Sequence, residues 1–358
     1  MDDCKIGECE VMEYQNKRIW EEPTEIGDVY RRNYLEGINN YIERKNYECK
    51  NIRRAYMSPD DMKKNQETYR TEFMKMIGIT ELLANKDVQV QMEYVGSDDV
   101  CRIHRLVVYV TPEIPFYSLV LIPHDVQEPM PLMIAQHGGG GTPELCSDMY
   151  GKNNYKHMVQ RALARGMAVL APQLLLWSRE ELETQRAHAI PFDRRQLDVN
   201  FKRFGESITA MELCGIIRSL DYVSNMEAID EDRISMIGLS YGGYYTLFTT
   251  ALDKRIKGAY VAGVFNDRDK YNWPDWCYKS SALLFQDAEV AALCAPRKLY
   301  VQVGKEDPIF TYETAIPEVE RIKDYFEVYG AADNFRFSLW EGGHTISEDD
   351  EGYDFITV

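Results

Sequence analysis

Ser240 has the surroundings of a catalytic serine nucleophile. It lies in the sequence GLSYG at residues 238–242, after a short apolar run at 234–237 and before an apolar stretch of helical character. A strand, a serine flanked by glycines and a helix are typical of the nucleophile elbow. The turn holds the serine at positive φ, and side chains at Gly238 and Gly242 would clash where strand and helix pass closely. We therefore predict that Ser240 attacks a carbonyl carbon.

A serine hydroxyl is a weak nucleophile and needs a positioned base. His344 lies in the sequence WEGGH at residues 340–344, just past the last predicted strand. His344 therefore comes last in the chain order serine, acid, histidine, which is the order typical of proteins with this nucleophile elbow. His137 precedes a glycine run and more often shapes such a loop than takes part in acid–base chemistry. The other histidines, in an early strand, in surface-like positions and in a polar excursion, fit the role less well: His104, His124, His157 and His188.

The acid that orients the base is predicted to be Asp307. It directly follows the predicted strand at 299–303 and precedes His344 in the chain. Its neighbour Glu306 is easily mistaken for it. An alternative topology would use an aspartate after the preceding strand, namely Asp267 or Asp269. We favour Asp307 over these alternatives.

The oxyanion of an acyl-transfer intermediate needs two backbone N–H donors. One follows the nucleophile, at Tyr241. The other is expected in the loop HGGGG at 137–141, where we choose Gly139, with Gly138 and Gly140 as alternatives. A phosphate cradle is rejected because no Gly-Lys-Ser/Thr follows and no basic cluster lies near.

The predicted elements would bring these residues to one edge of a sheet. From residue 131 onward strands and helices alternate, which predicts an α/β fold with a mostly parallel sheet covered on both faces. Earlier strand-like runs would extend one edge as antiparallel strands. Active sites of such sheets lie beyond the carboxyl ends of the strands, where every candidate above falls. Residues 1–86 are predicted to form a mainly helical extension, and residues 87–358 the α/β domain.

The composition and charge of the chain exclude several classes of binding partner. The chain has 358 residues, a net charge of −17 and 45% hydrophobic residues. This charge argues against nucleic-acid and anionic-membrane binding. No apolar run approaches the ~20 residues of a membrane helix, and the N-terminus lacks the features of a signal peptide. Eight scattered cysteines without a C-x-x-C pair indicate neither a zinc site nor a redox motif, so we expect a cytoplasmic protein with free thiols and no metal or cofactor.

With these residues placed, the chain resembles the serine esterases of the α/β-hydrolase superfamily, and within it the dienelactone-hydrolase and acetyl xylan esterase branch. The resemblance covers roughly residues 88–346. It rests on HGGGG at 137, on the elbow region at 229–263, on CAPRKLYVQVGKEDPIF at 294–310 and on YFEVYGAADNFRFSLWEGGHTI at 325–346. It implies triad roles for Ser240, Asp307 and His344. The nucleophile is a serine, whereas true dienelactone hydrolases use a cysteine, so that substrate is not expected.

The resemblance implies a carboxylesterase, and specifically a carbohydrate deacetylase acting on small acylated sugars. Tyrosine at position 241 also occurs in prolyl-oligopeptidase-type peptidases, so peptide cleavage stays as the alternative; a binding scaffold without activity is the third hypothesis. Homo-oligomerisation is left open.

Two insertions, at 173–203 and 266–286, are expected to set specificity. Their aromatic residues suit either stacking on sugar rings or packing of a cap, and the predicted substrate-binding members are Trp177, Trp273 and Trp276. Arg194 and Arg195 could pair with an acidic substrate group or with local acids, and we favour local acids.

Overall fold

The computed structural model describes residues 22–80, 89–124, 126–127, 129–176 and 192–357. The chain divides into two compact units between Glu48 and Cys49. In the described part of the first unit the chain is helical from Thr24 onward. The second unit contains the sheet and all the candidate catalytic residues. The predicted domain boundary after residue 86 stays a prediction.

The helices alternate with the strands from β4 onward, as the sequence pattern predicts. The described α-helices are α1 (Thr24–Tyr56), α2 (Pro59–Ile77), α3 (Pro143–Cys146), α4 (Met158–Leu163), α5 (Arg194–Lys202), α6 (Ile208–Val223), α7 (Tyr241–Leu252), α8 (Asp287–Ala292), α9 (Tyr312–Val328) and α10 (Glu351–Ile356).

Nine strands of the described ranges form one sheet, in the order β1-β2-β3-β5-β4-β6-β7-β8-β9. They are β1 (Val90–Ser97), β2 (Cys101–Thr111), β3 (Ile114–Pro123), β4 (Met130–Gln136), β5 (Ala168–Pro172), β6 (Ile229–Leu239), β7 (Ile256–Ala262), β8 (Lys298–Gly304) and β9 (Phe335–Trp340).

The sheet is antiparallel at one edge and parallel elsewhere. Strands β1, β2 and β3 pair antiparallel with one another, and β3 pairs antiparallel with β5. The pairs from β5 through β9 are all parallel. Parallel strands end at the same edge of a sheet, so the loops after β4, β6, β7, β8 and β9 meet there. The predicted α/β fold class is confirmed.

Both faces of the sheet are buried along its central strands β4 to β8, as parallel strands require. Successive residues of β4 point to opposite faces, and they belong to different hydrophobic clusters. Leu132 and Ile134 join the larger cluster with α2, α6, α7, α8 and α9. Met133 and Ala135 join the smaller cluster with α3, α4 and α10. Two packed faces fix the sheet and hold its carboxyl edge rigid.

Helix α2 begins and ends at residues that favour helix termini. The hydroxyl of Ser58 accepts a hydrogen bond from the Asp61 amide, and Pro59 occupies the first turn. Gly78 closes the helix at φ 84°. Met62 and Phe73 on its inner face are fully buried in the larger cluster.

In the part of the chain that the structure describes, no helix is both long enough and apolar enough to cross a bilayer.

Candidate active site

Ser240 occupies a strained turn between β6 and α7. Its φ of 60° and ψ of −122° lie outside the regions that a serine ordinarily adopts. A Cβ on Gly238 would lie 2.3 Å from the Gly242 backbone, and one on Gly242 would lie 2.1 Å from the Gln136 carbonyl oxygen. Glycine is therefore required on both sides of Ser240. The turn places a half-buried Ser240 at the N-terminus of α7, where helix amides favour negative charge.

His344 and Asp307 form a hydrogen-bonded pair at the adjoining strand ends. The Nδ1 atom of His344 lies 2.8 Å from Oδ2 of Asp307. The other carboxylate oxygen accepts the amides of Ile309 and Phe310 at 2.8 and 3.0 Å. These bonds fix the carboxylate, which is fully buried, while the His344 side chain stays 15% exposed. Asp307 is thus placed to orient the imidazole and to balance its charge.

The two loops that carry this pair are joined by the β8–β9 pairing. Gly304 ends β8 opposite Trp340, which ends β9. Beyond the strands, the Glu306 amide donates to the Gly342 carbonyl at 3.0 Å. Register in the sheet therefore brings together two residues 37 positions apart in sequence.

Ser240 and His344 both lie against the end of β7. The Ser240 amide donates to the Ala262 carbonyl at 2.9 Å, and a Cβ on Gly263 would lie 3.4 Å from Nδ1 of His344. Among the described residues no hydrogen bond joins the Ser240 hydroxyl to His344. Catalytic hydrogen bonds of unliganded enzymes are often long and tighten with substrate.

The alternative acids are engaged elsewhere. Asp267 lies 3.1 Å from the Lys50 ammonium, and Asp269 accepts the Gln286 side-chain amide at 2.8 Å. Glu306 is exposed. Only Asp307, of the acids considered from sequence, contacts His344.

His137 is a structural residue of the glycine loop. It is fully buried, and its Nδ1 lies 2.9 Å from the Gly138 carbonyl. Its Nε2 accepts the Leu174 amide at 3.0 Å, so the ring is neutral with Nδ1 donating. Burial lowers the pKa of His137 to about 4. This arrangement matches the prediction that His137 shapes its loop.

The side chain of Tyr241 is tied to the second insertion. Its hydroxyl donates to Asp275 at 2.9 and 3.1 Å, and its ring packs beside Trp273 and Trp276 with centroids 5.6 and 4.8 Å apart. Burial and the Asp275 charge raise the pKa of Tyr241 well above its usual value. The backbone next to the nucleophile is therefore anchored by a neutral tyrosine.

Arg194 links both insertions to this anchor. Its guanidinium donates to Asp275 at 2.8 Å and to both oxygens of Glu212 at 3.0 and 2.9 Å. It is only 7% exposed. The prediction that Arg194 pairs with local acids agrees with these contacts, whereas Arg195 is exposed.

A cavity of about 480 Å³ opens beside Tyr241. The residues that line it come from both insertions and from the elbow: Phe192, Asp193, Arg194, Arg195, Tyr241, Trp273, Pro274 and Asp275. Trp273 is half-buried at its wall. Tyr241, which lines the cavity, directly follows Ser240 in the sequence. The cavity is therefore the candidate pocket for substrate.

Trp276 does not fit its predicted substrate contact. It is 5% exposed and stacks on Tyr244 at 4.7 Å and on Trp273 at 4.4 Å. The Arg268 guanidinium also lies 4.4 Å from its ring. The predicted substrate contact of Trp276 is therefore corrected: its buried ring packs behind Trp273 and supports it. The third predicted aromatic, Trp177, lies outside the described residues.

Sequence reasoning missed Asn154 and Tyr155. The Tyr155 hydroxyl accepts the Gly138 amide at 2.9 Å, and the Asn154 side chain donates to the His344 carbonyl at 2.9 Å. Both lie in a polar stretch without a motif. The one feature of the sequence that could have drawn attention there is the aromatic residue Tyr155 itself. Within the described ranges no cluster of three or more His, Cys, Asp or Glu is arranged to hold a metal ion.

The chain has the α/β-hydrolase fold, and Ser240 lies in a turn with the geometry of a nucleophile elbow. A protein-family model described as "Acetyl xylan esterase (AXE1)" matches residues 209–265, the segment from α6 to the loop after β7 that contains Ser240. A provisionally named hydrolase of Bacillus subtilis (strain 168), YtaP, is 30% identical over 152 residues, which cover 39% of this chain and 50% of that protein. The match thus spans half the length of this curated relative.

Solved structures agree on the fold. A protein of Bacteroides fragilis NCTC 9343, provisionally described as an acetyl xylan esterase, superposes with a TM-score of 0.64 at 16% identity, covering 84% of each chain. The glucuronoyl esterase from Solibacter usitatus gives a TM-score of 0.61 at 14% identity, covering 82% of this chain and 92% of its own. At this level of identity the similarity establishes the fold. The chain resembles α/β-hydrolase esterases, as its sequence motifs predict.

Proposed function

We propose that this protein is a serine carboxylic-ester hydrolase that works through an acyl-enzyme. The observation that carries the proposal is the pairing of a strained, half-buried Ser240 with the His344–Asp307 hydrogen bond at the same sheet edge. Nδ1 of His344 is bonded to Asp307, which leaves Nε2 to remove the Ser240 proton as its oxygen attacks the ester carbonyl. The imidazolium gives this proton to the alcohol oxygen as the ester C–O bond breaks, and the alcohol departs from the acyl-enzyme. His344 then activates water, which releases the acyl group as a carboxylic acid and restores Ser240.

The oxyanion is held by the amides of Gly139 and Tyr241. Tyr241 is the first residue of α7, so its amide lies at the positive end of the helix. Gly138 is committed to Tyr155, which supports Gly139 as the donor from the glycine loop. Donors fixed in place before the reaction cost no reorganisation when the negative charge develops.

The substrate class that we propose is a small acyl ester of a carbohydrate. Trp273 at the cavity wall offers an aromatic face of the kind that packs on sugar rings, and the family model and the first structural neighbour are both described as acetyl xylan esterases. A substrate contact of Trp177 is also part of this proposal. A cytoplasmic location is supported by six free cysteines among the described residues.

Acyl-length preference tests this function. We expect the wild-type protein to hydrolyse p-nitrophenyl acetate faster than butyrate, and octanoate least, because the proposed substrates carry a small acyl group. Peptide p-nitroanilides serve as the comparison for the prolyl-oligopeptidase-type alternative. Turnover of anilides without turnover of esters would overturn the esterase proposal, as would the absence of turnover of either in folded protein.

A further inference from the structure

We propose that Asn154 and Tyr155 are positioning residues that hold two loops of the catalytic machinery in a fixed relation. The loops are the oxyanion loop, residues 137–141, and the histidine loop, residues 341–347. This inference rests on the proposed esterase function and adds two residues to it. Neither residue touches the substrate in this account.

The sheet alone does not fix these loops to each other. The oxyanion loop follows β4 and the histidine loop follows β9, and β6, β7 and β8 lie between them. Four strand spacings of about 4.8 Å separate β4 from β9 by roughly 19 Å. Strand pairing therefore does not connect the two loops directly. A short segment that contacts both of them can fix their relative position.

Tyr155 fixes the oxyanion loop. Its hydroxyl accepts the Gly138 amide at 2.9 Å, and the residue is 2% exposed. A Cβ on Gly141 would lie 2.2 Å from this hydroxyl oxygen. On its other side the loop meets the elbow, since a Cβ on Gly138 would lie 2.6 Å from the Leu239 carbonyl oxygen and 3.2 Å from Cβ of Ser240. The loop is thus held between Tyr155 and the nucleophile.

Asn154 fixes the histidine loop. Its side-chain amide donates to the His344 carbonyl at 2.9 Å. Its own carbonyl accepts the Thr345 hydroxyl at 2.6 Å and the Ile346 amide at 3.4 Å. Three hydrogen bonds from one residue thereby define the path of the backbone that carries the base.

The segment that bears both residues is itself anchored. The Asn153 side chain accepts the Tyr155 amide at 2.9 Å and donates to the Leu145 carbonyl at 3.0 Å. Lys156 and His157, which follow directly, have φ values of 51° and 59°. Non-glycine residues in this region are strained and persist only where surrounding contacts hold them. The backbone that carries Asn154 and Tyr155 is therefore itself held in place by neighbouring contacts.

The expected consequence is a loss of rate without a loss of binding. The oxyanion donor and the base act on the transition state, and a displacement of about 1 Å can cost on the order of 10²-fold in rate. Trp273 and the cavity wall do not depend on these hydrogen bonds. We therefore expect kcat to fall while KM stays nearly constant.

The experiment compares two variants with matched controls. Tyr155→Phe removes the acceptor of the Gly138 amide and keeps the ring, and Asn154→Ala removes the donor to His344. Tyr353→Phe is the control for the first, because the buried Tyr353 hydroxyl bonds a backbone carbonyl, that of Met158, at 3.0 Å. Asn334→Ala is the control for the second, because its side chain donates to the Pro296 carbonyl at 2.8 Å. All are assayed with p-nitrophenyl acetate, alongside wild type and Ser240→Ala, and their folding is followed by thermal unfolding.

We expect kcat to fall about tenfold or more in Tyr155→Phe and in Asn154→Ala, with KM within about twofold, and to stay near wild type in both controls at a similar loss of melting temperature. Wild-type kcat in both positioning variants, with wild type active and Ser240→Ala inactive, would overturn the inference and leave the esterase function intact. If Tyr155→Phe does not fold, the partly exposed Asn154 decides through its own variant. An inactive wild type would instead reject the proposed function.

Discussion

The Tyr241 hydroxyl donates to both carboxylate oxygens of Asp275, at 2.9 Å to Oδ2 and 3.1 Å to Oδ1. This bond connects the residue after the nucleophile to a buried acid that is 34 positions away and that Arg194 also holds. In the proposed mechanism, Tyr241 stabilises the oxyanion through its backbone amide. Its side chain serves a separate purpose, which is to anchor the cap formed by the second insertion.

Tyr241→Phe separates these two purposes. The variant keeps the backbone amide, so we expect kcat for p-nitrophenyl acetate to stay within about threefold of wild type. The buried Asp275 loses a donor, so the free energy of unfolding is expected to fall by about 1–3 kcal/mol. Urea unfolding and steady-state kinetics measure the two effects. Tyr245→Phe, in the same network but not adjacent to Ser240, is the matched control. A hundredfold loss of kcat in Tyr241→Phe alone would assign the hydroxyl a direct catalytic part.

Asp307→Asn tests the proposed role of Asp307 as the acid of a catalytic triad. The amide keeps the shape of the carboxylate but can donate an N–H group to Nδ1 of His344. This favours the tautomer with its proton on Nε2, which cannot act as the base, so kcat is expected to fall by roughly 10³–10⁴-fold. Glu306→Gln changes the neighbouring exposed acid and is expected to retain wild-type kinetics. Equal losses in the two variants would show that Asp307 does not act through His344.

His137→Gln tests the buried neutral imidazole through the pH dependence of stability. The pKa of His137 is lowered from its model-peptide value near 6.5 to about 4 in the fold. Between these values the unfolded chain binds a proton that the folded chain does not, so stability falls as the pH falls through this window. At about 1.4 kcal/mol per pH unit, the full effect is on the order of 3 kcal/mol.

The measurement is the free energy of urea unfolding at pH 7 and at pH 4.5 for wild type and His137→Gln. Glutamine keeps an acceptor for the Leu174 amide but does not titrate. We expect the loss of stability on acidification to be smaller in the variant by a few kcal/mol at most. Identical losses in both proteins would contradict the neutral, buried state of His137.

Trp273→Ala tests the proposed carbohydrate contact. We expect KM for an acetylated xylo-oligosaccharide to rise about tenfold. The reason is that packing of a sugar ring on an aromatic face contributes about 1 kcal/mol or slightly more. KM for p-nitrophenyl acetate is expected to change little. Trp276→Phe, at the buried aromatic behind it, should leave both values near wild type. A matching rise for the two substrates in Trp273→Ala would show that this tryptophan supports the pocket without recognising sugar.

The proposed catalytic residues could be placed together from sequence because each lies next to a local signal. The glycines around Ser240 mark a turn that requires positive φ, and Asp307 and His344 directly follow apolar runs that form β8 and β9. Parallel pairing then brings the strand ends together, so the order of elements was enough to group them. Strand β9 ends at Trp340, directly before the segment that carries His344.

The contacts that position the site could not be predicted in this way. Arg194 reaches Asp275 across 81 positions, and Asn154 reaches His344 across 190. Neither pair carries a periodicity or spacing that distinguishes it from the many other charged and polar residues of the chain. The burial of Trp276 likewise follows from its stacking on Tyr244, which depends on how the second insertion folds over α7.

The most direct test of the central claim is covalent labelling of Ser240 during ester turnover. Wild type and Ser240→Ala are incubated with p-nitrophenyl acetate, product release is followed, and a serine-directed organophosphate is located by peptide mass spectrometry. We predict turnover and a label on Ser240 in wild type, with neither in a folded Ser240→Ala. Unchanged ester turnover in Ser240→Ala would contradict the assignment of the nucleophile and with it the proposed mechanism.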